Sequence, residues 1–206
     1  MSPTTIYLIR HAETTWNAEG RLQGTLDAPL SERGQEQVRR LIEALRAVPL
    51  AAVYSSPLGR AHATADPIAA AHAVPLRTVA ELREMAQGEW EGRLISEVRD
   101  GDGRPIQARV DSPVESVFPG GETMEHVQTR AVAALRMLAE RHPGEVIAVV
   151  AHGGVNKTLL LSCLGAPLGH HARIAQGGAC INIIELGGPL PRVTALNNTV
   201  HLDVDP

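Results

Sequence analysis

The sequence predicts an α/β protein: a three-layer α/β/α sandwich with a mainly parallel central sheet and a small insertion lobe. Three observations carry that expectation. Residues 6–9 and 146–150 are short, unbroken apolar runs rich in β-branched side chains, the pattern of strands buried on both faces. Between them apolar residues recur at helical spacing, as at Val38, Leu41, Ile42 and Leu45, or at Met124, Val127, Ala131, Leu135 and Leu138. Strand and helix signals then alternate along most of the chain, which implies crossover helices covering both faces of a parallel sheet.

Taken in order, residues 5–9 form the first strand. Ser31 offers the side-chain oxygen an N-cap needs, and the helix behind it carries its apolar stripe to Leu45 and Val48. Residues 51–55 are a second strand, followed by a helix from Leu58 to about His72 that Pro67 is expected to kink or interrupt, since proline lacks the helical N–H. From Ala80 to Gly121 periodicity gives way to glycine, proline and mixed charge, a stretch long enough for a lid or sub-lobe. A helix over residues 122–142 ends at Pro143-Gly144. Residues 146–151 read as a central strand and residues 153–164 as its following helix. Residues 181–186 and 193–196, separated by Gly187-Gly188-Pro189, read as a closing hairpin or edge pair. Residues 1–206 are expected to form one domain with its insertion at about 80–121.

Composition narrows the function classes. Aromatics make up only 2% of the 206 residues, so Leu, Val, Ile and Ala must fill the core. A formal charge of -4 argues against a nucleic-acid or anionic-membrane surface, because those bind clustered Lys and Arg. No run approaches the roughly 20 apolar residues that cross a bilayer. The expectation is a cytoplasmic protein that handles a small molecule. Cys163 and Cys180 are too few for a disulfide framework and read as small buried apolar residues.

Two histidines stand at strand ends. Arg10-His11 closes the first strand, and Ala151-His152-Gly153-Gly154 closes the central one. Open α/β sheets bind ligands beyond the carboxyl ends of their strands, so two such deliveries point to one shared pocket.

The segment Arg10-His11-Ala12-Glu13-Thr14-Thr15-Trp16-Asn17 resembles the signature of the histidine phosphatase superfamily, also called phosphoglycerate mutase-like. Seven further blocks are similar to family blocks in the same order: Arg21-Leu22-Gln23-Gly24, residues 27–31, residues 54–61, Leu82-Arg83-Glu84, residues 88–92, Pro119-Gly120-Gly121-Glu122, and Ala151-His152-Gly153. The resemblance spans nearly the full chain.

It implies a phosphate monoester hydrolase acting through a phosphohistidine intermediate. His11 would be the nucleophile, which requires a neutral imidazole with one nitrogen free and the other donating to a fixed acceptor. Alanine at position 12, where the family usually has glycine, implies a loop that avoids positive φ. Arg10 and Arg60 would neutralise the equatorial phosphoryl oxygens with two-point guanidinium geometry. His152 would donate to the same oxygens, and Gly153 would let backbone approach. Glu84 would protonate the leaving oxygen and then activate water. Asn17, Gln23 and Gly24 match family positions that bind phosphate or substrate.

No metal and no cofactor is expected. The other histidines show no metal-ligand spacing, and two arginines would repel a divalent cation. The expected partner is a small-molecule phosphate monoester, with no nucleic acid and no membrane; a homodimer through edge strands or surface helices stays open. Arg83, Arg93, Arg99, Arg104 and Arg109 are available for substrate carboxylates, and His126 and His170-His171 lie near blocks that could line the mouth.

Three rivals remain. A cofactor-dependent mutase would carry a Lys-His-Tyr-Gly-like or Arg-His-Tyr-Gly-like block after its catalytic Glu. Here Glu84 is followed by Met85-Ala86-Gln87-Gly88-Glu89-Trp90-Glu91-Gly92, which looks like the phosphatase branch, including broad-specificity and α-ribazole phosphatases. A non-catalytic phospho-ligand binder and a metallohydrolase are the others.

Overall fold

The structure is a computed structural model, and it describes residues 2–101 and 119–203. Six strands among them form one sheet: β1 (Thr4–Arg10), β2 (Leu50–Ser55), β3 (Leu76–Thr78), β4 (Val146–Ala151), β5 (Ile181–Leu186) and β6 (Arg192–Asn198). Their order is β3-β2-β4-β1-β5-β6. β1, β2, β3 and β4 pair in parallel, while β5 and β6 add antiparallel at one edge. The sheet is thus mainly parallel, with the expected closing pair running from β5 to β6.

Helices α1 (Thr15–Glu19), α2 (Glu32–Leu45), α3 (Gly59–His72), α4 (Ile95–Gly101), α5 (Met124–Arg141) and α6 (Gly153–Cys163) complete the described elements with a few single 3-10 turns. Alternation along the strands sorts the core into two layers. Ile6, Leu8, Ile147 and Val149 pack with Leu135 and Leu138 of α5 and Leu159 and Leu160 of α6. Ile9, Val53, Ala148 and Val150 pack with Val38, Leu41 and Leu45 of α2 and Ala65 and Ile68 of α3. Both faces of β1 and β4 are therefore dry, which is why their sequences are unbroken apolar runs instead of alternating ones.

Caps set the helix starts. Ser31 Oγ accepts from the Gly34 N–H at 2.9 Å, as its position predicts, and Thr123 Oγ1 accepts from His126 N at the head of α5. The interruption expected at Pro67 does not occur: α3 runs as one helix through it. The proline removes one ladder bond, but the buried face of Ala61, Thr64, Ala65, Ile68 and Ala69 holds the helix together across it. Cys180 is buried as expected, whereas Cys163, near the end of α6, is only half-buried.

Two short elements lay below the reach of periodicity. α1 is framed by a capping box, with Thr14 Oγ1 accepting from Asn17 N and Asn17 Oδ1 accepting from Thr14 N, and by Gly20 at φ +70. β3 is a three-residue edge strand. The expected lobe over 80–121 begins with short 3-10 turns at Ala80–Leu82 and Gly88–Trp90 and then α4. Its remainder, residues 102–118, lies outside the described residues.

Candidate active site

Strand register assembles the site. β1 and β4 are neighbours with Arg10 opposite Ala151, so the next residue of each, His11 and His152, leaves the sheet at the same level. The two ring centroids are 5.2 Å apart, and both side chains are buried. β2 flanks β4 on the other side with Ser55 opposite Val150, which places Ser56 beside His152 and starts α3, with Arg60 in its first turn, over the same end of the sheet.

Each histidine is fixed through one nitrogen. His11 Nδ1 lies 2.7 Å from the Ala12 carbonyl, an acceptor that requires the proton on Nδ1 and leaves the Nε2 lone pair available. The loop is pinned from α3, where Thr64 Oγ1 accepts the Ala12 N–H and donates to the Arg60 carbonyl. Ala12 does not appear among the residues with positive φ, which agrees with its side chain. His152 Nε2 lies 2.7 Å from Ser56 Oγ, while its Nδ1 is buried without a protein partner. Ser56 Oγ also accepts the Leu58 N–H, and the arrangement in which its own proton goes to Nε2 is the one that places the ring proton of His152 on the unpartnered Nδ1.

Burial is the main reason both rings resist protonation. His11 is held well below its ordinary value by burial, then by the charges of Arg10 and Arg60, against the Ala12 hydrogen bond. His152 is held well below by burial, then by His11, Arg60 and Arg10. Both imidazoles are neutral at physiological pH.

The two guanidiniums are held along one edge and open elsewhere. Arg60, with 2% of its surface exposed, donates to the carbonyls of Leu26 and Gly24 at 2.7 Å each and to Asp27 Oδ1 at 2.9 Å. Arg10 Nη1 donates to the Gln176 carbonyl at 2.5 Å. In each arginine the Nε is buried and has no partner. Buried N–H groups seldom stay unpaired, so two of them beside two neutral imidazoles describe a site shaped for an anion.

Glu84 reaches the same place from a turn after the Ala80–Leu82 segment. Its Oε2 accepts the Gly154 N–H at 3.0 Å and its Oε1 accepts Met85 N at 2.9 Å. The segment is held from α5 by Arg130, whose guanidinium donates to the carbonyls of Glu81, Arg83 and Glu84 and to both oxygens of Glu122. All five donors of that arginine are thereby used. Glu122 Oε2 also accepts the Ala86 N–H.

Glycines make the close approaches. A Cβ on Gly153 would touch Arg10 Nε at 3.4 Å, and one on Gly154 would stand 2.5 Å from Glu84 Oε1. Gly24 has φ +53, and a side chain there would overlap the Glu91 carboxylate, which accepts Thr25 N and Gln87 N and so ties two loops.

The structure therefore brings Arg10, His11, Arg60, Glu84, His152, Gly153 and Gly24 to one end of the sheet. Gln23 is buried beside Gly24 with its Oε1 unpartnered. Asn17 is different: its Oδ1 is committed to the α1 cap, which leaves only its amide nitrogen for a ligand. Arg83 is paired to Glu122, His126 is exposed on α5, and the side chains of Arg99, Arg104 and Arg109 lie outside the described residues. Sequence reasoning gave no role to Asp27, Ser56 and Gly154, although each lies in a segment it singled out, and passed over Thr64 and Arg130. What each of them contacts is set by the register and packing that bring distant segments together, and no local spacing encodes those contacts. Among the described residues no group of three or more His, Cys, Asp or Glu is placed to hold a metal ion.

The chain is similar to known proteins over most of its length. A family model described as histidine phosphatase superfamily (branch 1) matches residues 6–199. The chain is 32% identical over 197 residues to phosphoserine phosphatase 1 of Hydrogenobacter thermophilus, covering 96% of this chain and 93% of that one. It is 33% identical over 180 residues to a probable phosphoglycerate mutase GpmB of Citrobacter koseri, covering 87% of this chain and 84% of the other. Among solved structures, YhfR of Bacillus stearothermophilus superposes with a TM-score of 0.92 at 37% identity, over 97% of this chain and 100% of that one.

Proposed function

Because the chain belongs to the histidine phosphatase superfamily, branch 1, we propose that it is a metal-independent phosphate monoester hydrolase that works through a phosphohistidine on His11 and acts on small phosphorylated metabolites. The observation that carries this reading is the buried pair His11 and His152, 5.2 Å apart between two arginines with free Nε groups.

The cycle is two in-line transfers. His11 Nε2 attacks phosphorus, the ester P–O bond breaks, and the Glu84 carboxyl gives its proton to the leaving oxygen. Water, losing a proton to the Glu84 carboxylate, then attacks phosphorus; the P–N bond breaks and phosphate leaves. Arg10, Arg60 and the Nδ1 proton of His152 would stabilise the oxygens as charge develops. Uncatalysed monoester hydrolysis is so slow that such sites lower the barrier by roughly 20 kcal/mol or more. A neutral His11 suits the first step, since only the unprotonated nitrogen is nucleophilic.

Hydrolase and mutase differ in which acceptor takes the phosphoryl group. The likeness to the Citrobacter protein supports the mutase reading. The likeness to the Hydrogenobacter protein, together with the short Gly88-Glu89-Trp90-Glu91-Gly92 segment after Glu84, supports the hydrolase. The test is release of inorganic phosphate from p-nitrophenyl phosphate, phosphoserine, α-ribazole phosphate and 3-phosphoglycerate in excess EDTA. Release without isomerised phosphoglycerate is expected. Quenched enzyme should carry acid-labile, base-stable phosphate, and His11→Ala should lose both turnover and label. Isomerisation without net release would overturn the hydrolase, and loss of activity in EDTA would overturn metal independence.

A further inference from the structure

Arg10 poses a problem that its own strand does not solve. It is the last residue of β1, its side chain is only half-buried, and among the described residues no carboxylate pairs with it. A guanidinium on a long side chain has many rotamers, and holding one of them needs an anchor. That anchor is the carbonyl of Gln176, which takes Nη1 at 2.5 Å. Residue 176 lies between the 3-10 turn Leu168–Arg173 and β5, where no helix or strand ladder fixes a carbonyl.

Side-chain amides fix it instead. Gln176 is buried, and its Nε2 donates to Asn182 Oδ1 at 2.8 Å and to the Ala175 carbonyl at 2.9 Å. Its Oε1 accepts from Asn156 Nδ2 at 3.1 Å and from Asn182 Nδ2 at 3.0 Å. Asn182 Nδ2 also donates to the carbonyl of Leu8, two residues before Arg10, and Asn182 Oδ1 accepts the Asn197 N–H. Asn156 and Asn182 are fully buried. The network thus bolts the 176 segment to α6, β5, β1 and β6; β1 ends just before His11, and His152 is the N-cap of α6.

We propose that Gln176 is a positioning residue of the phosphoryl site: with Asn156 and Asn182 it fixes the carbonyl that grips Nη1 of Arg10 and so turns the Nε and Nη2 edge of the guanidinium toward the phosphoryl group. This rests on the reading of the site as a phosphoryl-transfer centre. Apolar residues of similar volume would fill the same space without any desolvated amide, so the network's distinctive product is geometric. An edge of Nε and Nη2 is a two-point fork, and misplacing it by an ångström is costly to rate.

The experiment is a double-mutant cycle on p-nitrophenyl phosphate hydrolysis. Gln176→Met keeps the shape and removes the amide; Asn156→Ala is the gentler second variant, because Asn156 Oδ1 has no partner to lose. Gln176→Met should lower kcat/KM about 10- to 100-fold, mostly in kcat, with Asn156→Ala losing less. In an Arg10→Ala background neither should change kcat/KM by more than about twofold. Melting temperature is followed for every variant, so that only folded protein is compared. A lowered melting point with unchanged kcat/KM, or losses as large with Arg10 absent as with it present, overturns the proposal. Full activity of Arg10→Ala itself would instead overturn the phosphoryl reading of the site.

Discussion

The hydrogen bond from His11 Nδ1 to the Ala12 carbonyl decides which ring nitrogen can attack, and the contact between Ser56 and His152 Nε2 holds the second ring with its Nδ1 left for a ligand. Both are single contacts with chemical consequences, because an imidazole offers one donor and one acceptor: the carbonyl, which only accepts, sets the tautomer of His11, and the hydroxyl orients His152. His11 was legible from its place at a strand end and from the signature around it. Ser56 was not, since 96 residues separate it from His152. Ser56→Ala should lower kcat about 10- to 100-fold by freeing the tautomer and orientation of His152, with KM moving little. Steady-state kinetics on p-nitrophenyl phosphate checks this, and an unaltered kcat would mean that the ring is oriented by packing alone.

At the scale of elements, two helix starts do more than end a loop. Leu58, the N-cap of α3, has no side chain that can cap, and Asp27 from a distant loop takes the role: Oδ2 accepts Gly59 N at 2.6 Å and Oδ1 takes Arg60 N and Nη1. One carboxylate thus caps the helix and aims the arginine. Asp27→Ala should cost about 1–2 kcal/mol of stability, the usual worth of a cap, and reduce kcat/KM as well. Urea unfolding and kinetics on the same sample separate the two effects; unchanged kcat/KM would show that Arg60 is aimed by the Leu26 and Gly24 carbonyls alone. At the start of α6, Gly154→Ala would push a methyl to within 2.5 Å of Glu84 Oε1. The carboxyl must move, so kcat should drop about tenfold or more while the melting point changes little. Pro67 teaches a related lesson: its local effect on the ladder is real, but α3 is held by its buried face.

For the molecule as a whole, packing two imidazoles at the centre links stability to pH. Burial first, then the arginines and the neighbouring ring, hold His11 and His152 well below the ordinary histidine value, and half-buried His201 is lowered too. Unfolded, each ring takes up a proton below about pH 6.5. The unfolded chain then binds more protons than the native one, so this stability is complete above that pH and is lost as pH falls toward the folded values. The slope reaches at most about 1.4 kcal/mol per pH unit for each histidine. Calorimetry from about pH 5 to 8 should show a plateau and then a decline on the acid side. Substituting His11 and His152 together by glutamine should flatten that decline, and an identical slope would place its origin elsewhere.

Hydrophobic order alone determined the class of this molecule. Short β-branched runs such as residues 146–150 suit a strand in a sheet covered on both faces, and stripes such as Met124 to Leu138 suit the helices that cover it. The family motifs added the identities of His11, Arg60, Glu84 and His152. Tertiary structure alone decided that β1 lies beside β4, that Ser56 and Asp27 complete the two key side chains, and that amides of α6 and β5 hold the anchor of Arg10. The reason is physical: periodicity and caps act within a few residues, whereas side-chain hydrogen bonds join residues as far as 174 apart, and no local pattern specifies which of them will meet.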